Sequence, residues 1–113
     1  MGPKVITLKT SDNIEIVGDY YTALAKNAPA AIFIHMMPTT RESWKIFAKK
    51  LNETEFHCLA IDLRGHGDSQ GGPNGFQNFS DEDHQASIHD IKSAVDYFVK
   101  KGIILEKLSL IGA

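Results

Sequence analysis

The 113-residue chain holds one cysteine, Cys58, so no internal disulfide can form. That cysteine lies in the apolar run FHCLAID, the setting of a buried, inert thiol and not of a nucleophile. No apolar run is long enough to span a bilayer, and the opening residues MGPKVITLKT lack the hydrophobic core of a secretion signal. The myristoylation pattern needs Ser or Thr at position six, which here is Ile6. Two glycosylation-type triplets, Asn52-Glu53-Thr54 and Asn78-Phe79-Ser80, have no secretory context to act in. The expected location is therefore cytoplasmic. An excess of one charge is also lacking. Twelve Lys and Arg against fourteen Asp and Glu leave a formal net charge of −2, and nothing in that balance draws the chain to nucleic acid or to a membrane. The pairs Lys49-Lys50 and Lys100-Lys101 read as solvated helix ends. There is no internal repeat, low-complexity tract or linker. At 42% hydrophobic and 23% charged residues the chain is that of a single ordinary globular domain.

The patterning predicts alternating elements. Val5 to Leu8 and Ile14 to Tyr21 read as strands joined by a turn at Ser11-Asp12-Asn13, giving a hairpin. Ala30 to His35 is a short apolar run bounded by prolines, a buried third strand. Thr39 has capping-box spacing to Glu42 and opens a helix with Trp44, Phe47, Ala48 and Leu51 on one face. Phe56 to Ile61 is a fourth strand, and Asp62 to Phe79 a glycine-rich loop. Ser80 and Asp83 form a second capping box. That helix carries Ile88, Ile91, Ala94, Val95 and Phe98 as its stripe, and Gly102 ends it. Leu108 to Ile111 is a buried last strand. Strands alternating with helices imply an α/β fold: a β-hairpin, then parallel strands with helices on both faces. Right-handed crossovers bring the fifth strand back beside the third, so the strand order reverses there. Ligands in such sheets sit at the carboxyl ends of strands near the reversal, which puts His35 to Pro38 and the end of the fifth strand together.

Three stretches carry a family resemblance: FIHMMPTTRESW (33–44), AIDLRGHGDSQGG (60–72), and SDEDHQASIHDIKSAVDYFVKKGI followed by KLSLIGA (80–113). In this order and spacing they resemble the N-terminal half of an α/β-hydrolase-fold enzyme, similar to bacterial esterase, lysophospholipase-like and dienelactone-hydrolase-like serine hydrolases. The resemblance covers nearly the whole chain and implies a truncated α/β-hydrolase fold. In that family the fifth strand enters a sharp G-x-S-x-G turn that lifts the nucleophile above the sheet. Gly112 and Ala113 match its first two positions, so the chain is expected to stop one residue before the serine, with the triad acid and histidine also beyond it. The resemblance further implies an oxyanion donor in the loop after the third strand. Where the family often has His-Gly-x-Pro, this chain has His35-Met36-Met37-Pro38. Position-by-position matching makes the Met37 N–H the donor, with the Met36 N–H as the alternative because methionine replaces the usual glycine. No cofactor is implied. The substrate of the intact parent would be a small molecule bearing an ester or related acyl bond.

Other polar residues read as architecture. His35 orients its loop. His66, Arg64 and Asp68 shape the long loop, and Asp62 braces a turn. His84 and His89 are badly spaced for a shared metal. Asp81, Glu82 and Asp83 complement a helix dipole. Gly65-His66-Gly67 lacks the third glycine of a dinucleotide fingerprint and opens no helix. Trp44 and Phe47 read as core; Met36 and Met37 read equally as core and as lining of an acyl pocket. Two rival functions stand beside the hydrolase reading: a non-catalytic binding or partner module built on the half-fold, and a nucleotide-binding α/β domain. The last strand, LSLI, has no internal charge or proline. As an edge it invites self-association or pairing with a complementary C-terminal fragment.

Overall fold

A computed structural model describes residues 2–112. Five strands form one mixed sheet in the order β1-β2-β4-β3-β5. β1 (Lys4–Lys9) and β2 (Glu15–Tyr21) make the antiparallel hairpin, with Asn13 in a left-handed conformation at its turn. β3 (Ala30–Ile34) lies parallel to β4 (His57–Ile61) on one side and to β5 (Leu108–Gly112) on the other. The strand reversal therefore falls at β3, and Ile34 lies opposite Gly112 at the carboxyl ends.

Alternation along the strands fills two cores. Ala30, Ile32, Leu59, Ile61, Ile16 and Tyr20 point to one face. There they meet Ala94 and Phe98 of α3 (Ile88–Lys100). Ala31, Phe33, Cys58, Ala60 and Tyr21 point to the other face, against Ala48 of α1 (Lys45–Glu53). Because β3 and β4 are covered on both sides, they read as solid apolar runs. Cys58 is fully buried, and burial pushes its thiol up to about 12.

Both helix entries differ from the sequence expectation. The first cap is Thr40, not Thr39: the Thr39 N–H and hydroxyl turn back to the Met36 carbonyl, while Thr40 Oγ1 accepts from Glu42 N–H at 3.3 Å. A single 3-10 turn, Arg41–Trp44, precedes α1. The Ser80–Asp83 capping box forms as expected, but it opens a short helix, α2 (Asp81–Gln85). The chain turns at Ala86–Ser87 before α3 begins. That break changes the phase. Asp90, Ala94 and Phe98 take the inward line of α3. Ile88, two residues from Asp90 and so on the far side of a 3.6-residue turn, is exposed. Phe47 is also half-exposed, its ring edge-on to Phe33 at 5.7 Å. Gly102 ends α3 at φ +94°, a conformation that disfavours any side chain.

β5 is not the buried strand its composition suggests. Leu110 is 54% exposed, while Leu108 and Ile111 are only partly covered. Among the described residues it pairs with β3 alone, so one row of backbone donors and acceptors has no ladder partner. An uncharged apolar edge of this kind templates pairing. The 113-residue chain is accordingly expected to self-associate through β5. Sedimentation velocity over a concentration series should show a rising weight-average mass, and Leu110→Lys should suppress it. A concentration-independent monomer would contradict this expectation.

Candidate active site

The carboxyl ends of β3 and β5 frame the site, and the loop after β3 crosses it. Its geometry starts from one carbonyl. Met36 C=O accepts from His35 Nδ1 at 3.1 Å, from Thr39 N–H at 2.7 Å, and from the Thr39 hydroxyl. Three donors hold that peptide in place. Its bond is trans, so the Met37 N–H of the same plane points the opposite way. Among the described residues neither the Met37 nor the Met36 N–H makes a hydrogen bond. The two methionine side chains stand half-exposed, at 49% and 53%, and so do not belong to the core.

His35 is buried at 3% exposure. A backbone N–H can only donate, so the 2.9 Å contact from Leu63 N–H makes Nε2 the acceptor. The proton therefore sits on Nδ1 and is donated to Met36 C=O. One imidazole thus ties the loop after β3 to the loop after β4. Burial lowers its pKa below the ordinary 6.5, which favours this neutral form.

The far end of the loop is held by an ion pair. Asp62, fully buried beyond β4, accepts from Arg41 N–H at 2.7 Å, from Asp68 N–H at 3.0 Å and from the Arg41 guanidinium. Arg41 also reaches Asp19 of β2 at 3.0 Å and Asp68 at 3.1 Å. Burial would lower the pKa of Arg41, but Asp19 and Asp62 outweigh it, so the guanidinium stays charged. Gly67, at φ +48°, lies against Asp62 so closely that a Cβ would overlap the carboxylate. The Asp62 carboxylate therefore fills the space beside Gly67, and its negative charge opposes a phosphate at this loop.

A second arginine braces the loop from the other face. Arg64 forks onto Asp12 of the hairpin turn at 2.6 and 2.9 Å and onto Asp90 of α3 at 2.8 and 2.9 Å. Asp90 also accepts from Arg64 N–H at 2.8 Å. The Arg64 guanidinium beside Asp12 holds that carboxyl well below its ordinary 3.8. His66 donates from Nδ1 to Arg64 C=O at 3.0 Å and stacks on Phe76 with ring centres 4.4 Å apart. Among the described residues no three or more His, Cys, Asp or Glu side chains converge as a metal site, and no helix is long and apolar enough to cross a membrane.

Of the sequence-predicted site residues, His35, Met36, Met37 and Gly112 come together at one end of the sheet; Ala113 lies outside the described residues. Arg41, Asp19 and Asp90 were not foreseen. Arg41 looks like a solvated helix-start cation, and its partners lie about twenty residues away in either direction. Asp90 looks like the polar flank of an amphipathic helix.

A mixed sheet whose parallel strands reverse order at β3, with helices on both faces, defines a hydrolase-like α/β scaffold. The chain belongs to the α/β-hydrolase-fold family, whose pattern matches residues 29–98. Among solved structures, DcsB in complex with its substrate analogue is 25% identical over 97% of this chain, with a TM-score of 0.80. The α/β hydrolase GrgF from Penicillium sp. sh18 is 23% identical over 99% at a TM-score of 0.82. The Pyrococcus furiosus esterase Pf2001 is 22% identical over 97% at 0.74, and the Vigna radiata epoxide hydrolase VrEH1 is 19% identical over 98% at 0.73. The chain spans 36%, 37%, 41% and 30% of those four chains, respectively. No curated protein sequence matches it significantly.

The His35 geometry makes a titration prediction. In the native state its imidazole should carry the proton on Nδ1 and titrate below 6.5. The unfolded chain binds that proton first as pH falls, so the stability His35 contributes is complete above 6.5 and declines below it. Nitrogen-15 NMR of the five histidines should show one with this tautomer and a depressed midpoint. A His35 protonated at pH 6.5 would contradict the assignment.

Proposed function

We propose that these 113 residues are the N-terminal part of one α/β-hydrolase domain, ending just before the nucleophile elbow, and that the complete domain is a serine hydrolase of carboxylic ester or related acyl bonds. The observation that carries the reading is the Met37 N–H, which among the described residues makes no hydrogen bond and lies in the loop that leaves the carboxyl end of β3 beside the end of β5. Gly112 and Ala113 match the opening of G-x-S-x-G, which supports a serine as the next residue. The fold likeness does not choose between chemistries: the esterase and the epoxide hydrolase have TM-scores of 0.74 and 0.73.

In this reading the serine attacks the acyl carbonyl, and negative charge develops on its oxygen. The Met37 N–H and the N–H following the nucleophile donate to that oxygen; its collapse breaks the bond to the alcohol, which leaves with the proton given up by the serine, and water then hydrolyses the acyl-enzyme to the free acid. His35 and Thr39 act as positioning residues. By occupying the Met36 carbonyl they keep the peptide from rotating, so the donor is set before charge appears. The Met36 N–H is the alternative donor, but no comparable lock holds its peptide. The exposed Met36 and Met37 thioethers offer an apolar wall to the substrate. No cofactor enters this chemistry. A complementary C-terminal segment, or a second copy of the chain, would pair along β5. The partner-module rival draws on the same open edge.

Two experiments test the proposal. The 113-residue chain alone holds no family-type nucleophile, so a fluorophosphonate should leave its mass unchanged. Stoichiometric labelling of a serine such as Ser69 or Ser80 would overturn the reading. In the complete domain, Met37→Pro removes the donor and should lower turnover about a hundredfold or more, while Met37→Ala should cost far less. Equal losses, with folding verified, would show that the side chain and not the N–H matters.

A further inference from the structure

At the opposite end of the sheet, where the parallel strands begin, lies a cavity of about 280 Å³ that the proposed chemistry does not use. Its floor is not a surface crease. Tyr20, His57, Phe98 and Ile103 line it, and each is at most 9% exposed. Tyr20 and Phe98 meet at 6.0 Å between ring centres and give it an aromatic wall. One side of the cavity is the chain just after β2, and His57 clamps that segment. Its Nδ1 accepts from Ala23 N–H at 3.0 Å, which places the ring proton on Nε2, and Nε2 donates to Ala25 C=O at 3.1 Å. The wall is thus preset.

The polar side chains of the cavity are those of Tyr20, Thr22, His57, Lys26 and Lys101, and the Tyr20 hydroxyl lies 3.3 Å from His57 Nδ1. The Tyr20 and Thr22 hydroxyls stand 3.4 Å apart. Lys26 and Lys101 complete the lining, and no carboxylate takes part in it. Among the described residues neither ammonium pairs with an acid; every ion pair belongs to Arg41 or Arg64. Lys101 Nζ is held over the Tyr20 and Tyr97 rings, 5.1 and 5.0 Å from their centres. The end of α3 would ordinarily oppose an anion through its free carbonyls. Here Phe98 C=O accepts from Lys101 and Ile103 N–H, and Val99 C=O from Gly102 N–H, so these carbonyls are engaged.

We propose that this cavity is a binding site for a small monocarboxylate with a flat apolar body. The aromatic wall and Ile103 take the body, and the two lysines take the carboxylate. Buried aromatic side chains beside a few convergent polar groups are the usual ingredients of a small-molecule site, and this half-open recess is just below the usual size. The site is independent of the acyl chemistry proposed above and lies at the other end of the strands.

Equilibrium dialysis of the 113-residue chain against radiolabelled benzoate at low salt tests it, and that method tolerates self-association through β5. One saturable site with Kd on the order of 1 mM or tighter is expected. Benzamide, of the same shape without the charge, should compete at least about tenfold less well. Lys101→Met should weaken binding by a similar factor, and Lys26→Met serves if that variant does not fold. Lys49→Met, on α1 at the other face, should leave it unchanged. Lack of saturation, equal competition by benzamide, or full binding by the lysine variants would overturn the proposal. The dependence on Lys101 or Lys26 separates this cavity from the Met36–Met37 loop.

Discussion

The fold turns on one buried anion. Asp62 has no exposed surface, and a carboxylate in that setting is tolerated only when paired and hydrogen-bonded. It is served by two backbone N–H groups, those of Arg41 and Asp68, and by a guanidinium. These donors come from two segments, the entry to α1 and the long loop, and Arg41 extends the tie to strand β2 through its contact with the Asp19 carboxylate. Satisfying the charge therefore fixes where each segment lies. It also dictates glycine at 67, where no side chain fits beside the carboxylate.

The candidate site inherits its rigidity from that pairing. The loop after β3 is pinned at its start by His35 on Leu63 and at its end by Arg41 on Asp62. Both pins lead to the same short stretch at the end of β4. What lies between them is held by the Met36 carbonyl with its three donors, and the Met37 N–H points away from that carbonyl. The carboxyl end of the sheet is thus tied by short-range polar contacts. Arg64 does the same between hairpin and α3, so the two arginines brace the long loop from opposite faces of the sheet. Nothing comparable holds β5, whose apolar side chains are half open and whose outer edge has no partner among the described residues.

Much of this was legible in the sequence. The elements, the reversal beside β3 and the two helix-covered faces follow from apolar runs and right-handed crossovers, because both depend on local pattern and chain chirality. His35, Met36 and Met37 could be named because they sit in one contiguous motif. The charge network could not be assembled from pattern. Arg41 and Asp62 are twenty-one residues apart, and Arg64 and Asp90 twenty-six. Each reads locally as a helix-start or turn residue. The helix break at Ala86–Ser87 was hidden for a related reason: Asp81–Gln85 carries no apolar residue whose phase could reveal it, while the phase of α3 is set by Asp90 turning in toward Arg64. The exposure of β5 was hidden too, since its composition is that of a strand covered on both sides.

The central claim is that the Asp62 pairing holds the carboxyl end of the sheet together. A double-mutant cycle by denaturant unfolding, followed by Trp44 fluorescence and pairing Asp62→Leu with Arg41→Met, tests it most directly. Arg41→Met strands the buried Asp62 and should cost about 3–5 kcal/mol, Asp62→Leu leaves Arg41 with Asp19 and Asp68 and should cost less, and the double change should cost clearly less than the two combined, because no unpaired carboxylate is then left at 62. A loss for Arg41→Met below about 1 kcal/mol, the range of an exposed ion pair, or simple additivity of the two changes would contradict the account.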